Sequence, residues 1–217
     1  MLSIKLLIAL VAGTIAAVGA IGNALWGPRA RARKRLDAGT TTTIADREIV
    51  TLTGIVRALG ELLEAPLSGK PCVLYAAFGR VYETTGPTLT RRAQTNLVAT
   101  VTEVKLVPFE LETPDGLVRI EGESAEIEIP PGPLIPRKIE RERQFLLAHG
   151  ESGELVRGAG FEELALAPGA KIRVQGMAIV ELDPAGGGER GYREHAPRRI
   201  RLVAHENHPL TIGRPRR

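Results

Sequence analysis

The twenty consecutive uncharged residues 6–25 (LLIALVAGTIAAVGAIGNAL) constrain this chain more than any other feature of it. As a helix rising about 1.5 Å per residue, they reach the roughly 30 Å of a hydrocarbon core. A helix is the only form in which such a segment crosses lipid alone, because every unpaired backbone polar group there costs several kcal/mol. Trp26 follows at the place of an interfacial aromatic, and Gly27-Pro28 ends the run. Then come Arg29, Arg31, Arg33, Lys34 and Arg35, five cations in seven residues. Such a cluster resists translocation, so the expectation is a single-pass membrane protein with its N-terminus outside and its body on the cytoplasmic side. The same cluster, with Trp26, is the expected membrane-surface contact, since cations beside a bilayer attract anionic headgroups. The competing reading is a cleaved export signal ending near Val18-Gly19-Ala20, which would make the rest an exported soluble binding protein. Against it stand the length of the apolar run and the basic cluster after the cleavage site. Ala12, Ala16, Ala20 and Ala24 recur every fourth residue, a spacing that lets helices approach and would support a homo-oligomer through the membrane segment. High alanine content is the simpler account.

Charge separates the first segment from the rest. Six of the 29 basic residues and none of the 25 acidic ones lie in residues 1–36, so the remainder carries 23 basic residues against 25 acidic. A nearly neutral body argues against a nucleic-acid partner. The single cysteine, Cys72, excludes an intramolecular disulfide and any zinc site built on several thiolates.

The segments expected are a tail (1–5), a transmembrane helix (6–26), a basic and Thr-rich linker (27–46), a β domain (47–213) and a basic tail (214–217). Within the domain, residues 47–57, 72–83, 97–106, 171–182 and 200–204 read as strands. Residues 58–65 suggest a helical turn. Pro114-Asp115-Gly116 between two β-type runs predicts a hairpin. Residues 138–148 form the best helix pattern, stopped by Gly150. Residues 86–92 read as a hairpin loop, and the Gly-rich 183–199 as a flexible one. The fold class is therefore mainly β: a small antiparallel barrel or sandwich of about eight strands with one short helix, behind one transmembrane helix. Mid-strand glycines at 54, 122 and 176 fit the tight coiling of an OB-like barrel.

Three ordered stretches carry a resemblance. They are Gly54-Ile55-Val56 leading to Ala65-Pro66-Leu67-Ser68-Gly69-Lys70-Pro71-Cys72, then Val107-Pro108-Phe109-Glu110-Leu111 with Asp115-Gly116, then residues 166–176 (LAPGAKIRVQG). With Pro209-Leu210-Thr211-Ile212 at the end, residues 48–213 resemble the BAM ("beside a membrane") or GIDE domain of MULAN-type mitochondrial E3 ubiquitin ligases and their bacterial relatives. Ligase chemistry in that family resides in a RING, which needs eight zinc ligands, mostly cysteines, and one cysteine cannot supply them. What the resemblance implies is a membrane-adjacent β domain without the RING, presenting an interaction or regulatory surface to a protein partner not identified by the sequence.

No catalytic residue, cofactor or metal ligand is expected. Cys72 opens an apolar run and reads as a buried thiol rather than a nucleophile. His205 and His208, with His195, have the spacing of a weak metal motif, but H-x-x-H alone is common. An enzyme using Cys72 or these late histidines is the competing class. The Gly186–Gly191 segment lacks the Lys-Ser/Thr of a phosphate-binding loop, and pairs such as Glu110/Glu112 read as solvated strand faces.

Overall fold

The computed structural model describes residues 30–37, 44–85, 94–134, 136–182 and 198–215. The expected transmembrane helix, Trp26 and Arg29 lie outside them, as do His195, the Gly-rich segment 183–197 and the loop 86–93. Among the described residues no helix is long and apolar enough to cross a membrane.

Alternation of apolar and polar residues builds the central element. In β1 (Ile49–Ala58), Val50 and Val56 are buried while Ile55 and Arg57 face out. β6 (Phe109–Thr113) and β7 (Gly116–Glu121) alternate likewise, burying Phe109, Leu111, Val118 and Ile120. Thr113 pairs with Gly116 across the Pro114-Asp115 turn, Gly116 has φ +127°, and the Thr113 hydroxyl donates to the Gly116 carbonyl at 2.9 Å. The hairpin expected from that tripeptide is present.

β11 (Lys171–Leu182) and β12 (Arg198–Val203) complete a ring in the order β1-β6-β7-β12-β11, closed by the pairing of β1 with β11. The barrel has five strands, and β7 lies parallel to β12. The expected antiparallel barrel is therefore mixed, because the long connection leaving β7 returns a strand in the same direction. β13 (Thr211–Gly213) continues beside β11, and the two-residue β8 (Glu126–Ile127) joins it in parallel.

Glycines sit where strands change partner. At Gly54, β1 leaves β11 for β6, and a Cβ there would meet the Glu112 carbonyl oxygen at 2.3 Å. At Gly176, β11 exchanges β13 for β12, and a Cβ would meet both Leu210 and the Val203 carbonyl at 3.1 Å. Gly122 lies just beyond β7 rather than inside a strand.

Two insertions build a second layer. Between β1 and β6 the chain forms β2 (Leu63–Glu64), β3 (Pro71–Cys72), β4 (Leu74–Thr85) and β5 (Gln94–Leu106). Residues 58–65, read as a helical turn, are instead extended, with β2 paired to β3. Between β7 and β11 come β8, β9 (Gly132–Pro133), helix α2 (Ile139–Ala148), a 3-10 turn (Gly153–Gly158) and β10 (Ala159–Leu166). The sheet β5-β4-β10-β9 has Leu74 and Leu166 in the barrel core. Tyr75, Ala77 and Val81 pack instead with Phe145 and Leu146 of α2. Gly150, at φ +78°, follows α2 as its sequence predicted. Thirteen strands are described rather than eight, several of only two residues.

Substituting Gly54→Val is expected to destabilise the domain by about 2 kcal/mol or more, because the clash is with backbone rather than with a movable side chain. Denaturant unfolding of the detergent-solubilised chain measures it, and Thr53→Val, one residue away on the outer face, is the comparison.

Candidate functional site

The segment expected as a linker is helical over residues 30–37, and this helix, α1, lies on the outer barrel wall. Ala32 and Leu36, four residues apart on one face, are fully buried. Gly213 makes room: a Cβ there would meet the Leu36 side chain at 2.3 Å. Polar groups fix the helix C-terminus. Gln175 donates from Nε2 to the Arg35 carbonyl at 2.7 Å and to the Thr51 hydroxyl at 3.1 Å. Arg173 pairs with Asp37 at 3.1 Å, and Arg35 with Glu126 at 3.0 Å. The Gln175 bond supplies a donor to a carbonyl that the last turn of a helix leaves unpaired. Arg173 and Gln175 face outward from the barrel, yet are buried because the helix covers them. Of the residues expected at the membrane surface, Arg31, Arg33 and Lys34 are exposed on α1, while Arg35 is half-buried in its ion pair.

The Ala65–Cys72 stretch that carries the family resemblance forms a tight loop. Gly69 N–H donates to the Ala65 carbonyl at 2.8 Å and Ala65 N–H to the Lys70 carbonyl at 3.0 Å. Gly69 has φ +68° and lies beneath the Arg141 guanidinium, 2.8 Å from where a Cβ would stand. The buried Glu163 carboxylate on β10 accepts from the Leu67 N–H at 2.8 Å and the Ser68 N–H at 3.0 Å. Lys138, before α2, donates to the Ser68 carbonyl at 2.6 Å. These groups border a cleft of about 520 Å³, walled by Pro133, Leu134 and Leu164, with Lys70 and Lys138 beside it. An apolar slot with cations at its edge suits an extended acidic segment of a partner.

Sequence reasoning missed a polar quartet where α2 meets the sheet. Tyr75 donates to Glu103 at 3.0 Å, Lys105 pairs with the same carboxylate at 2.7 Å, and His149 Nε2 stands 3.8 Å from it. His149 Nδ1 lies 2.8 Å from the Phe145 carbonyl, so it carries the proton and donates. Burial alone would raise the Glu103 carboxyl, but the hydrogen bonds from Lys105 and Tyr75 hold it below the usual carboxylate range. Burial and the Glu103 hydrogen bond push the Tyr75 hydroxyl up. Glu103 is thus held as an anion and Tyr75 as a neutral phenol at the edge where α2 meets the sheet. Only its pairing register, Ala77 with Glu103 and Tyr75 with Lys105, brings the members together, and that register is not written in local sequence.

Cys72 is fully buried, its Sγ 3.7 Å from the Leu63 carbonyl. Burial, then the Glu163 charge, push its thiol up to about 11. Few thiolates exist at neutral pH in such a site. His205 and His208 exchange backbone bonds of 2.9 Å in an exposed turn, with ring centroids 6.4 Å apart. Among the described residues no three of His, Cys, Asp or Glu gather as a metal site.

The outer face of the barrel strands carries a ladder of opposite charges. Arg57 pairs with Glu112 at 2.7 Å, Arg201 with Glu121 at 2.6 Å and with Glu181 at 3.0 Å. Arg119 pairs with Glu121, and Arg199 with Glu181. The Arg199 hydrogen bond, despite some burial, holds the Glu181 carboxyl below its ordinary value.

No protein-family model, no curated protein and no solved structure matches the chain.

Glu163→Gln is expected to destabilise the domain by about 1–3 kcal/mol, since one loop N–H loses its charged acceptor. The loss should show as faster proteolytic nicking within residues 65–71. A thiol reagent at neutral pH should leave Cys72 unmodified in the folded chain and label it fully in denaturant. The folded thiol titrates near 11, above its ordinary 9.0, so the native state holds a proton that the unfolded state has lost. Stability should therefore fall as pH rises from 9 to 11, by less in Cys72→Ala, as followed by thermal unfolding.

Proposed function

We propose that this chain is a single-pass membrane protein whose BAM/GIDE-like, OB-like barrel presents a non-catalytic interaction surface at the cytoplasmic face of the bilayer. The observation that carries the reading is the seating of α1. Four residues, 26–29, separate the apolar run ending at Leu25 from a helix locked to the barrel by Leu36, Arg35–Glu126 and Asp37–Arg173. A tether this short transmits orientation, so one face of the barrel would be turned to the lipid. The other would be turned to partners. Arg31, Arg33 and Lys34 are exposed on that helix and would contact anionic headgroups, with Arg29 and Trp26 before them.

The strand order, with the third barrel strand (β7) parallel to the fifth (β12), supports the OB-like assignment. The charge ladder speaks against the nucleic acids that many such barrels bind. Its arginines are already paired with glutamates, and the aromatic on its strands, Phe109, is buried in the barrel core where it cannot stack a base. The cleft beside Lys70 and Lys138 is the surface proposed for a protein partner. The elevated Cys72 thiol weighs against a thiol enzyme.

Protease added to sealed inverted vesicles should digest the barrel, and protease added to sealed right-side-out vesicles should leave it intact until detergent opens them. The chain should stay with the membrane through an alkaline wash. A barrel recovered in the soluble fraction with a new N-terminus near Ile21 would instead support export.

The seat itself is tested by charge exchange. Glu126→Arg should loosen α1 and speed cleavage within residues 30–37 several-fold. Arg35→Glu combined with it should restore most of the protection, because the two charges then meet with signs reversed.

A further inference from the structure

The cleft between α1 and the end of the barrel, about 560 Å³, is bounded by Arg33, Asp37, Glu128, Arg173, Arg214 and Pro215. Its two carboxylates already have donors from the protein. Asp37 accepts from Arg173 at 3.1 Å, and Glu128 accepts from the Arg214 backbone N–H at 3.1 Å. Its cations are less well provided. Arg173 has a side chain 9% exposed, and its buried Nε has no hydrogen-bond partner. Among the described residues neither the Arg33 nor the Arg214 guanidinium enters an ion pair. Among its described lining residues, three guanidiniums against two carboxylates leave net positive charge, with the Arg33 and Arg214 forks outside any ion pair.

We propose that this cleft binds the phosphate of an anionic lipid headgroup. Guanidiniums match phosphate oxygens in pairs of N–H donors, which a diffuse lysine-rich surface does not do. Arg33 and Arg214 approach from separate elements, one on α1 and one after β13, so the phosphate clasps the helix to the barrel. Arg173 stands behind it, and its bond to Asp37 ties the barrel to the helix end. The source of the phosphate is assigned from position, and this step rests on the membrane-tethered reading. Only seven residues separate Arg33 from Leu25, so the cleft would open beside the headgroup layer. The binding is then more than attraction of a basic cluster: it selects a headgroup that exposes phosphate, and it requires the barrel to sit on α1.

The test uses the full chain in a neutral, non-ionic detergent, with short-chain phosphatidic acid added and bound lipid counted by native mass spectrometry. The expected result is one tightly retained lipid per chain. R33Q/R214Q should weaken retention by about thirtyfold, the combined effect of two surface cations, with unchanged thermal unfolding. R31Q/K34Q removes the same charge from the same helix outside the cleft and should retain the lipid within about threefold. Equal losses in the two double variants would overturn the site and leave a diffuse basic surface, with the tether intact. Displacement of the lipid by millimolar inorganic phosphate would overturn the lipid assignment in favour of a free-phosphate site. Failure of the wild-type chain to associate with bilayers at all would overturn the tethered reading, and this proposal with it.

Discussion

Barrel closure depends on one backbone crossing. β1 pairs with β11 over residues 49–55 and with β6 over residues 55–58, so a single strand is shared by both edges of the curling sheet. The crossing works because Gly54 lets the Glu112 carbonyl come closer than any Cβ permits. Everything else in the domain is placed by that closure. It sets the connection after β1 at one end, where β2–β5 branch off, and it brings β11 round so that its outer face can receive α1. A sheet that stayed open at β1 would leave Ile172 and Val174 exposed and Gln175 without its Thr51 partner.

The second layer is organised by carboxylates rather than by apolar packing alone. Glu163 holds the Leu67–Ser68 turn, and Glu142, fully buried on α2, is held by a bidentate contact from Arg137, which also donates to the Val156 carbonyl at 3.0 Å. Glu103 joins Tyr75 and Lys105 beside His149 at the other end of the helix. Glu163 and Glu103 reach between segments distant in sequence, and Glu142 acts through Arg137, which carries the contact on to Val156. Removing one partner would strand a buried charge, so these contacts specify a single arrangement of α2 on the sheet even where their net contribution to stability is small.

What was legible in the sequence follows from how local each signal is. Pro114-Asp115-Gly116 and the Gly150 stop depend on a few adjacent residues, and both stand where expected. Gly54 and Gly176 were legible as departures from a strand pattern, although the partner exchange that requires them was not. Residues 58–65 misled because ALGELLEA has helical composition, whereas its Leu63 pairs with Cys72 and its Ala65 is fixed by Lys70. α1 was hidden for a different reason. Its five-cation cluster dominates the reading of residues 29–37, while its docking signal is only Ala32 and Leu36 at a four-residue spacing. The residues that receive it, Gln175 and Gly213, lie well over a hundred positions away.

Arginine serves two opposed purposes in this molecule, and the difference is one of pairing rather than of number. On the outer barrel strands Arg57, Arg119, Arg199 and Arg201 alternate with Glu112, Glu121 and Glu181, and each cation is neutralised at hydrogen-bond range. Fields from such closely paired charges cancel within a few ångströms, so that wall attracts no polyanion from solution. On α1 and at the end of β13 the cations outnumber the carboxylates, and Arg31, Arg33 and Arg214 keep exposed positions without acidic partners among the described residues. Positive charge without acidic partners among the described residues is thereby placed at the end bearing α1, where the proposed contact with an anionic surface would form. Had the barrel arginines been unpaired as well, the domain would face a charged bilayer in several orientations of similar energy. With the ladder closed, the proposed lipid contact would be made by the end bearing α1, and the cleft beside Lys70 and Lys138 would keep a fixed position relative to it.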